Sequence, residues 1–198
     1  MSCSMHAGIV SRMKPKARSV GRQAFIKCVL DMLDEGASLD EINLRHIAKR
    51  LGCAHTNAYN WFASQQELYW WALGLAIERL LLETQAEDIP PLFAEDGLLV
   101  RYAAFARRHP AWFRLIWLER LTPPIPDEIV PLLARPSCLM GRSLKQSVPA
   151  QGSLQEKGDV LFSYLHGKLC LLVTHRMSSE QVETLEQDLL SFANSLFC

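Results

Sequence analysis

Apolar side chains recur at three- and four-residue intervals through most of this chain, and no stretch alternates apolar and polar as a half-buried strand does. The first helical run spans about Ser19 to Glu35, with Ala24, Phe25, Cys28, Val29, Met32 and Leu33 on one stripe and Gly36 ending it. A second begins after Asn43, where a side-chain oxygen suits an N-cap. It carries Leu44, Ile47, Ala48 and Leu51 on its apolar face and stops at Gly52. A third short run puts Ala58 and Phe62 on its inner face. Ser64 and Glu67 are spaced as a capping box for a long helix to about Glu83, through Leu68, Trp71, Ala72, Leu75, Ala76 and Leu80. At roughly 20 residues such a helix reaches about 30 Å, enough to connect a small N-terminal core to a second one.

Further helices are expected over Leu98–Arg108 and from Pro110, which suits a first helical position, through Trp112, Phe113, Ile116 and Trp117. Pro123, Pro124, Pro126, Pro131 and Pro136 predict short helices and irregular loops from Leu121 to Ala150. Two long helices close the chain. Ser153 and Glu156 cap one that continues to about Met177, and Ser178 and Gln181 cap one that runs nearly to the end. The first is apolar around much of its circumference (Val160, Leu161, Phe162, Leu165, Leu169, Leu171, Leu172, Val173), and the second carries Val182, Leu185, Leu189, Phe192, Ala193 and Leu196. That surface exceeds what one side of a monomer buries, so a four-helix bundle between two copies is expected. The fold class expected is all-α: a three-helix helix-turn-helix domain within residues 1–66 and a helical effector-binding and dimerisation domain over 67–198.

The outer face of the short helix pair holds His55, Thr56, Asn57, Tyr59, Asn60 and Trp61, with no carboxylate. Two helices around a tight turn form the plan whose second helix enters the DNA major groove, and a polar, aromatic face suits a polyanion. Charge sharpens this. The net charge is zero, yet residues 1–62 carry nine Lys/Arg against five Asp/Glu, and the remainder carries twelve against sixteen. Arg12, Lys14, Lys16, Arg18, Arg22 and Lys27 all precede the first acid, Asp31. A basic front with an acidic back fits a nucleic-acid module joined to something else. Nothing resembles a signal peptide or a membrane span, so a cytoplasmic protein without membrane partners is expected.

Candidate chemistry is sparse. There is no nucleophile elbow, phosphate loop, Gly-rich dinucleotide turn or paired metal motif, so neither catalysis nor a bound cofactor is expected. The six cysteines are widely spaced, and Cys28, Cys53 and Cys170 read as core. His166 and Cys170 share a helix face, with His175 beyond, but no third metal ligand accompanies them, and no metal site is assigned. Tyr102, Phe105, His109, Trp112, Phe113, Trp117, Phe162 and His166 could line a hydrophobic ligand pocket with a few polar handles, or simply pack a core.

Over about Arg22 to Leu75 the sequence resembles the TetR family of transcriptional regulators. The resemblance is carried by Leu44 to Gly52 (LRHIAKRLG), by Tyr59 to Ser64 (YNWFAS) and by Glu67-Leu68. It implies a homodimer that binds a palindromic double-stranded operator and is released by a small effector, usually as a repressor. Carried over residue by residue, Arg45 would touch DNA; His55, Thr56 and Asn57 would face base edges; Tyr59 and Trp61 would meet phosphates, with Asn60 beside them. Gln65 stands where the family usually has a lysine near the backbone, and Ala54 where a Ser or Thr commonly caps the recognition helix. Lys14, Lys16 and Arg18 would form a basic arm that offsets these losses. The alternatives are an effector-independent DNA-binding accessory protein and a metal- or thiol-sensing regulator.

Overall fold

The computed structural model describes residues 20–84, 90–148 and 154–197. Ten α-helices and one 3₁₀ helix lie among them, with no strand. Helix α1 (Arg22–Asp34) ends where Gly36 takes a φ of +96°, a conformation glycine adopts without steric cost. Helix α2 (Leu44–Arg50) begins as anticipated: Asn43 Oδ1 accepts the backbone N–H groups of Arg45 and His46, both at 3.0 Å. It ends at Gly52, φ +67°, where the Cys53 N–H returns to the Ala48 carbonyl.

The next element is a six-residue 3₁₀ helix, His55–Asn60. Ala54 cannot cap it with a side chain, and the ladder closes through three-residue bonds such as Asn57 N–H to the Ala54 carbonyl. Ala58 and Phe62 are buried against the preceding helices, as their spacing requires.

Helix α3 (Gln65–Thr84) departs from the single stripe expected of it. Leu68, Tyr69, Ala72, Leu73, Ala76, Ile77, Leu80 and Leu81 are all buried, because α1, α4, α5, α6 and α7 surround it. Ser64 Oγ accepts the Glu67 N–H as a cap should, while the Glu67 carboxylate takes the Ala63 N–H instead of closing a box. Helices α4 (Leu98–Arg108) and α5 (Pro110–Trp117) have the expected bounds. Helix α5 packs against α1, α3, α4 and α8, so one apolar core runs without interruption from Phe25 to Ala193.

The proline-rich segment is irregular between Leu118 and Ile129, where the Trp70 indole N–H donates to the Thr122 carbonyl at 2.9 Å. It then forms α6 (Val130–Leu133) and a helix longer than anticipated, α7 (Arg135–Ser147). Pro136 falls in the first turn of α7, where a missing N–H costs no helical bond, so it starts the helix rather than breaking one. Helix α8 (Leu154–Val173) stops four residues short of Met177. The capping box at Ser178 and Gln181 is formed, but the helix it opens is short, α9 (Ser179–Glu183), and α10 (Leu185–Phe197) follows after Thr184. Leu161, Leu165, Leu169 and Val173 of α8 face the core, whereas Val160 and Leu171 are 49% and 44% exposed.

Candidate nucleic-acid interface and ligand pocket

The turn between α2 and the 3₁₀ helix turns the apolar side chains inward and leaves a polar, aromatic outer face. Arg45, His55, Thr56, Tyr59, Asn60 and Trp61 are exposed, and Asn57 is half-buried. Asn43, Leu44, Arg45, His46, His55, Tyr59 and Gln65 line an open groove between the two elements. His46 was not singled out in the sequence; its place one residue after Arg45, in the first turn of α2, was the available signal. The Asn60 side-chain amide donates to Asn57 Oδ1 at 2.9 Å, so these two amides orient each other. Beneath the face, Phe62 meets Phe25 edge-on at 6.3 Å, and the Arg22 guanidinium lies 3.5 Å above the Trp71 ring. Lys14, Lys16 and Arg18 lie outside the described residues.

Two members of the expected DNA-contacting set have their polar atoms engaged within the protein. The Trp61 indole N–H donates to the Val20 carbonyl at 3.1 Å, which leaves only the ring for an outside partner. Gln65 ties the start of α3 to the start of α2. Its Oε1 accepts the Leu44 N–H at 3.1 Å, and its Nε2 donates to the Tyr69 hydroxyl at 2.6 Å and to the Ile42 carbonyl at 3.3 Å. Tyr69 donates onward to the Ile42 carbonyl, and burial pushes its phenol up to about 12. Gln65→Ala therefore strands partners in a half-buried site. It is expected to cost about 1–3 kcal/mol in thermal denaturation; a lost phosphate contact would instead weaken DNA binding with little effect on stability.

The eight side chains expected to line a pocket fall into two groups. Tyr102, Phe113, Trp117 and Phe162 surround the His166 imidazole at ring-centroid distances of 5.6, 6.0, 4.6 and 4.0 Å. The imidazole Nδ1–H donates to the Phe162 carbonyl at 3.0 Å, which leaves Nε2 to accept from the Tyr102 hydroxyl at 3.2 Å. The rings thus enclose a neutral imidazole, and the buried Trp117 indole N–H among them has no hydrogen-bond partner among the described residues. Burial pushes the Tyr102 phenol up and the His166 imidazole down. The sign follows: the unfolded chain protonates this histidine near pH 6.5 and the folded one resists. The stability it contributes is complete above that pH and is lost as pH falls below it toward the folded-state value. Melting temperature is expected to drop between pH 7.5 and 5.5, and to drop less in His166→Gln. Asp34, whose carboxyl burial pushes up, acts with the opposite sign, so the variant comparison isolates the imidazole.

Phe105, His109 and Trp112 form the second group. His109 stacks on Trp112 at 4.7 Å and donates from Nε2 to the Glu83 carboxylate at 3.2 Å. Glu83, at the end of α3, is nearly buried and also pairs with Arg79 and Arg108. Glu83 thus ties the end of α3 to the α4–α5 corner through Arg108 and His109.

Of the eight, Phe162 alone also borders a cavity of about 780 Å³, which lies between α7 and α8. Among the cysteines, Cys28 is buried, and Cys53 and Cys170 are half-buried. Burial raises the thiols of Cys28 and Cys170, which disfavours the reactive thiolate. Among the described residues, no three His, Cys, Asp or Glu side chains gather as metal ligands, and no helix is long and apolar enough to cross a membrane.

No family model and no curated protein matches the sequence. Solved structures do share its fold. A protein assigned a regulatory role, SCO4313, superposes with a TM-score of 0.70 at 20% identity, over 92% of this chain and all of that one (100%). A protein of unknown function from Rhodococcus sp. RHA1 gives 0.66 at 18%, over 93% and 97%. A TetR transcriptional regulator from the same organism gives 0.55 at 18%, over 88% and 94%. The chain has the all-helical fold of these proteins.

Proposed function

We propose that this chain is a TetR-type transcriptional regulator: a homodimeric, cytoplasmic DNA-binding protein whose C-terminal half takes a small effector and releases the operator. The observation that carries the reading is the outer face of Arg45 and His55–Asn60. It is free of carboxylates and held in a defined conformation by the Asn43 cap and the Gly52 turn. Arg45 and Tyr59 are the candidate phosphate contacts. His55, Thr56 and Asn57 are the candidates for base edges, and an Asn amide suits adenine. The Trp61 ring and Asn60 border them, and Gln65 acts as a brace rather than a contact. The basic arm of Lys14, Lys16 and Arg18 adds phosphate attraction.

The exposed Val160 and Leu171 of α8 supply an apolar face for a second copy, and Tyr164 stacked on Phe192 at 3.8 Å braces α8 against α10 behind it. Two copies related by a two-fold axis would present their recognition helices to successive major grooves, about 34–36 Å apart. An effector shifts this arrangement only if it binds the released form more tightly than the operator-bound one. The position of α5, packed on both α1 and α8, provides a short physical route between the halves. Repression, rather than activation, is the reading that the resemblance favours. Binding selection from random duplex DNA tests the proposal and is expected to return an inverted repeat.

A further inference from the structure

We propose that the cavity between α7 and α8 is the effector site, and that its ligand is a small amphipathic anion. In the aromatic cluster that the sequence marks as a pocket, the Tyr102 hydroxyl and the Phe162 carbonyl engage both imidazole nitrogens of His166. The neighbouring cavity is different. Its volume, about 780 Å³, lies within the range of small-molecule sites. Met140, Leu144, Leu154 and Phe162 provide an apolar wall, and Arg142 and Lys145 stand on its rim.

Two features set the ligand class. The first is charge. Among the described residues, Asp159 is the one carboxylate lining the cavity, and it accepts the Gln155 amide at 3.0 Å. Arg142 and Lys145 make no ion pair or side-chain hydrogen bond among the described residues, and residues 149–153, between α7 and α8, contain no acid. Two uncommitted cations beside an apolar wall suit a carboxylate or phosphate on an apolar body.

The second feature is space. Gly141 sits in the middle of α7, where glycine is among the least favourable residues, and a Cβ there would meet nothing within 4 Å. On the opposite wall a Cβ at Gly158 would come within 2.7 Å of the Leu144 side chain, so that glycine leaves room for Leu144. The site also has a readout. The Phe162 ring lies 4.0 Å from His166 and 6.0 Å from Trp117, so a ligand against Phe162 presses on the cluster that α5 shares with α8.

The regulatory consequence rests on the proposed function; the binding does not. The test is titration of the full-length chain with decanoate, decan-1-ol and decylammonium, followed by calorimetry and tryptophan emission. Decanoate is expected to bind, to raise the melting temperature and to change the emission, with at least tenfold preference over the other two. Gly141→Phe, which fills the space, is expected to melt no lower than wild type and to lose decanoate affinity at least tenfold. Arg142→Glu combined with Lys145→Glu is expected to reverse the preference toward decylammonium. Equal binding of the three probes would overturn the anionic class, and unchanged decanoate affinity in Gly141→Phe would overturn the site. Either result leaves the DNA selection as an independent judge of the regulator reading.

Discussion

Phe113→Ala is expected to destabilise the whole chain by about 3–5 kcal/mol, the usual cost of emptying a fully buried aromatic site. The ring is 0% exposed and lies within 6.2 Å of Tyr102 and 6.0 Å of His166. It belongs to α5, the helix packed against α1, α3, α4 and α8 at once. A chain of this size loses roughly 2–4 °C per kcal/mol, so a drop of about 6–20 °C is expected. Because the core is continuous from α1 to α10, the transition should remain single, carrying the DNA-binding helices with it. Calorimetry decides this. Two separated transitions, with the N-terminal helices melting unchanged, would show that the halves fold independently. Tyr59→Ala, at a side chain 57% exposed, is the control and should shift stability by no more than about 0.5 kcal/mol.

The second large effect is on DNA affinity, and it separates two kinds of contact. The Arg45 backbone is fixed by the Asn43 cap, while its guanidinium makes no ion pair or hydrogen bond among the described residues. Arg45→Ala should weaken binding nearly uniformly across sequences and reduce the slope of log affinity against log salt by about one. Asn57→Ala should instead cost roughly 5- to 150-fold on the preferred sequence and little on others, because a base contact carries about 1–3 kcal/mol of discrimination. Its effect also reaches Asn60, whose amide leans on Asn57 Oδ1. Anisotropy titrations over several salt concentrations measure both quantities. If Arg45→Ala leaves the slope unchanged, that side chain does not meet the backbone.

Elements governed by local rules were legible in the sequence. Asn43 and Ser178 cap helices, Gly36 and Gly52 end them with positive φ, and α4 and α5 have the bounds that periodicity and Pro110 indicate. What depends on neighbours was not. The broad burial of α3, apart from a strip through Trp71, Leu75, Glu78 and Leu82, follows from the five helices around it, which no one-helix pattern encodes. Gln65 stands where a phosphate contact was expected, yet its amide bridges two helix starts; only its proximity to Leu44 and Tyr69 reveals that. Aromatic residues at helical spacing announce a cluster but not whether it is full. The rings around His166 gather on one imidazole, and the cavity that Phe162 also lines lies between α7 and α8, where no aromatic pattern announces it. The outward face of the 3₁₀ helix was legible because Ala58 and Phe62 fix which side is buried.

The proposed role of the Arg45 and His55–Asn60 face is to read DNA as part of a two-fold dimer. Its most direct test is selection of random duplex DNA by the purified full-length protein, run in parallel with a variant carrying alanine at His55, Thr56 and Asn57. One inverted repeat with half-sites about one helical turn or slightly more apart should be enriched, and that repeat should be lost in the variant while weak, salt-sensitive binding persists. No enriched sequence for the wild-type protein, or the same repeat recovered by the variant, would contradict it.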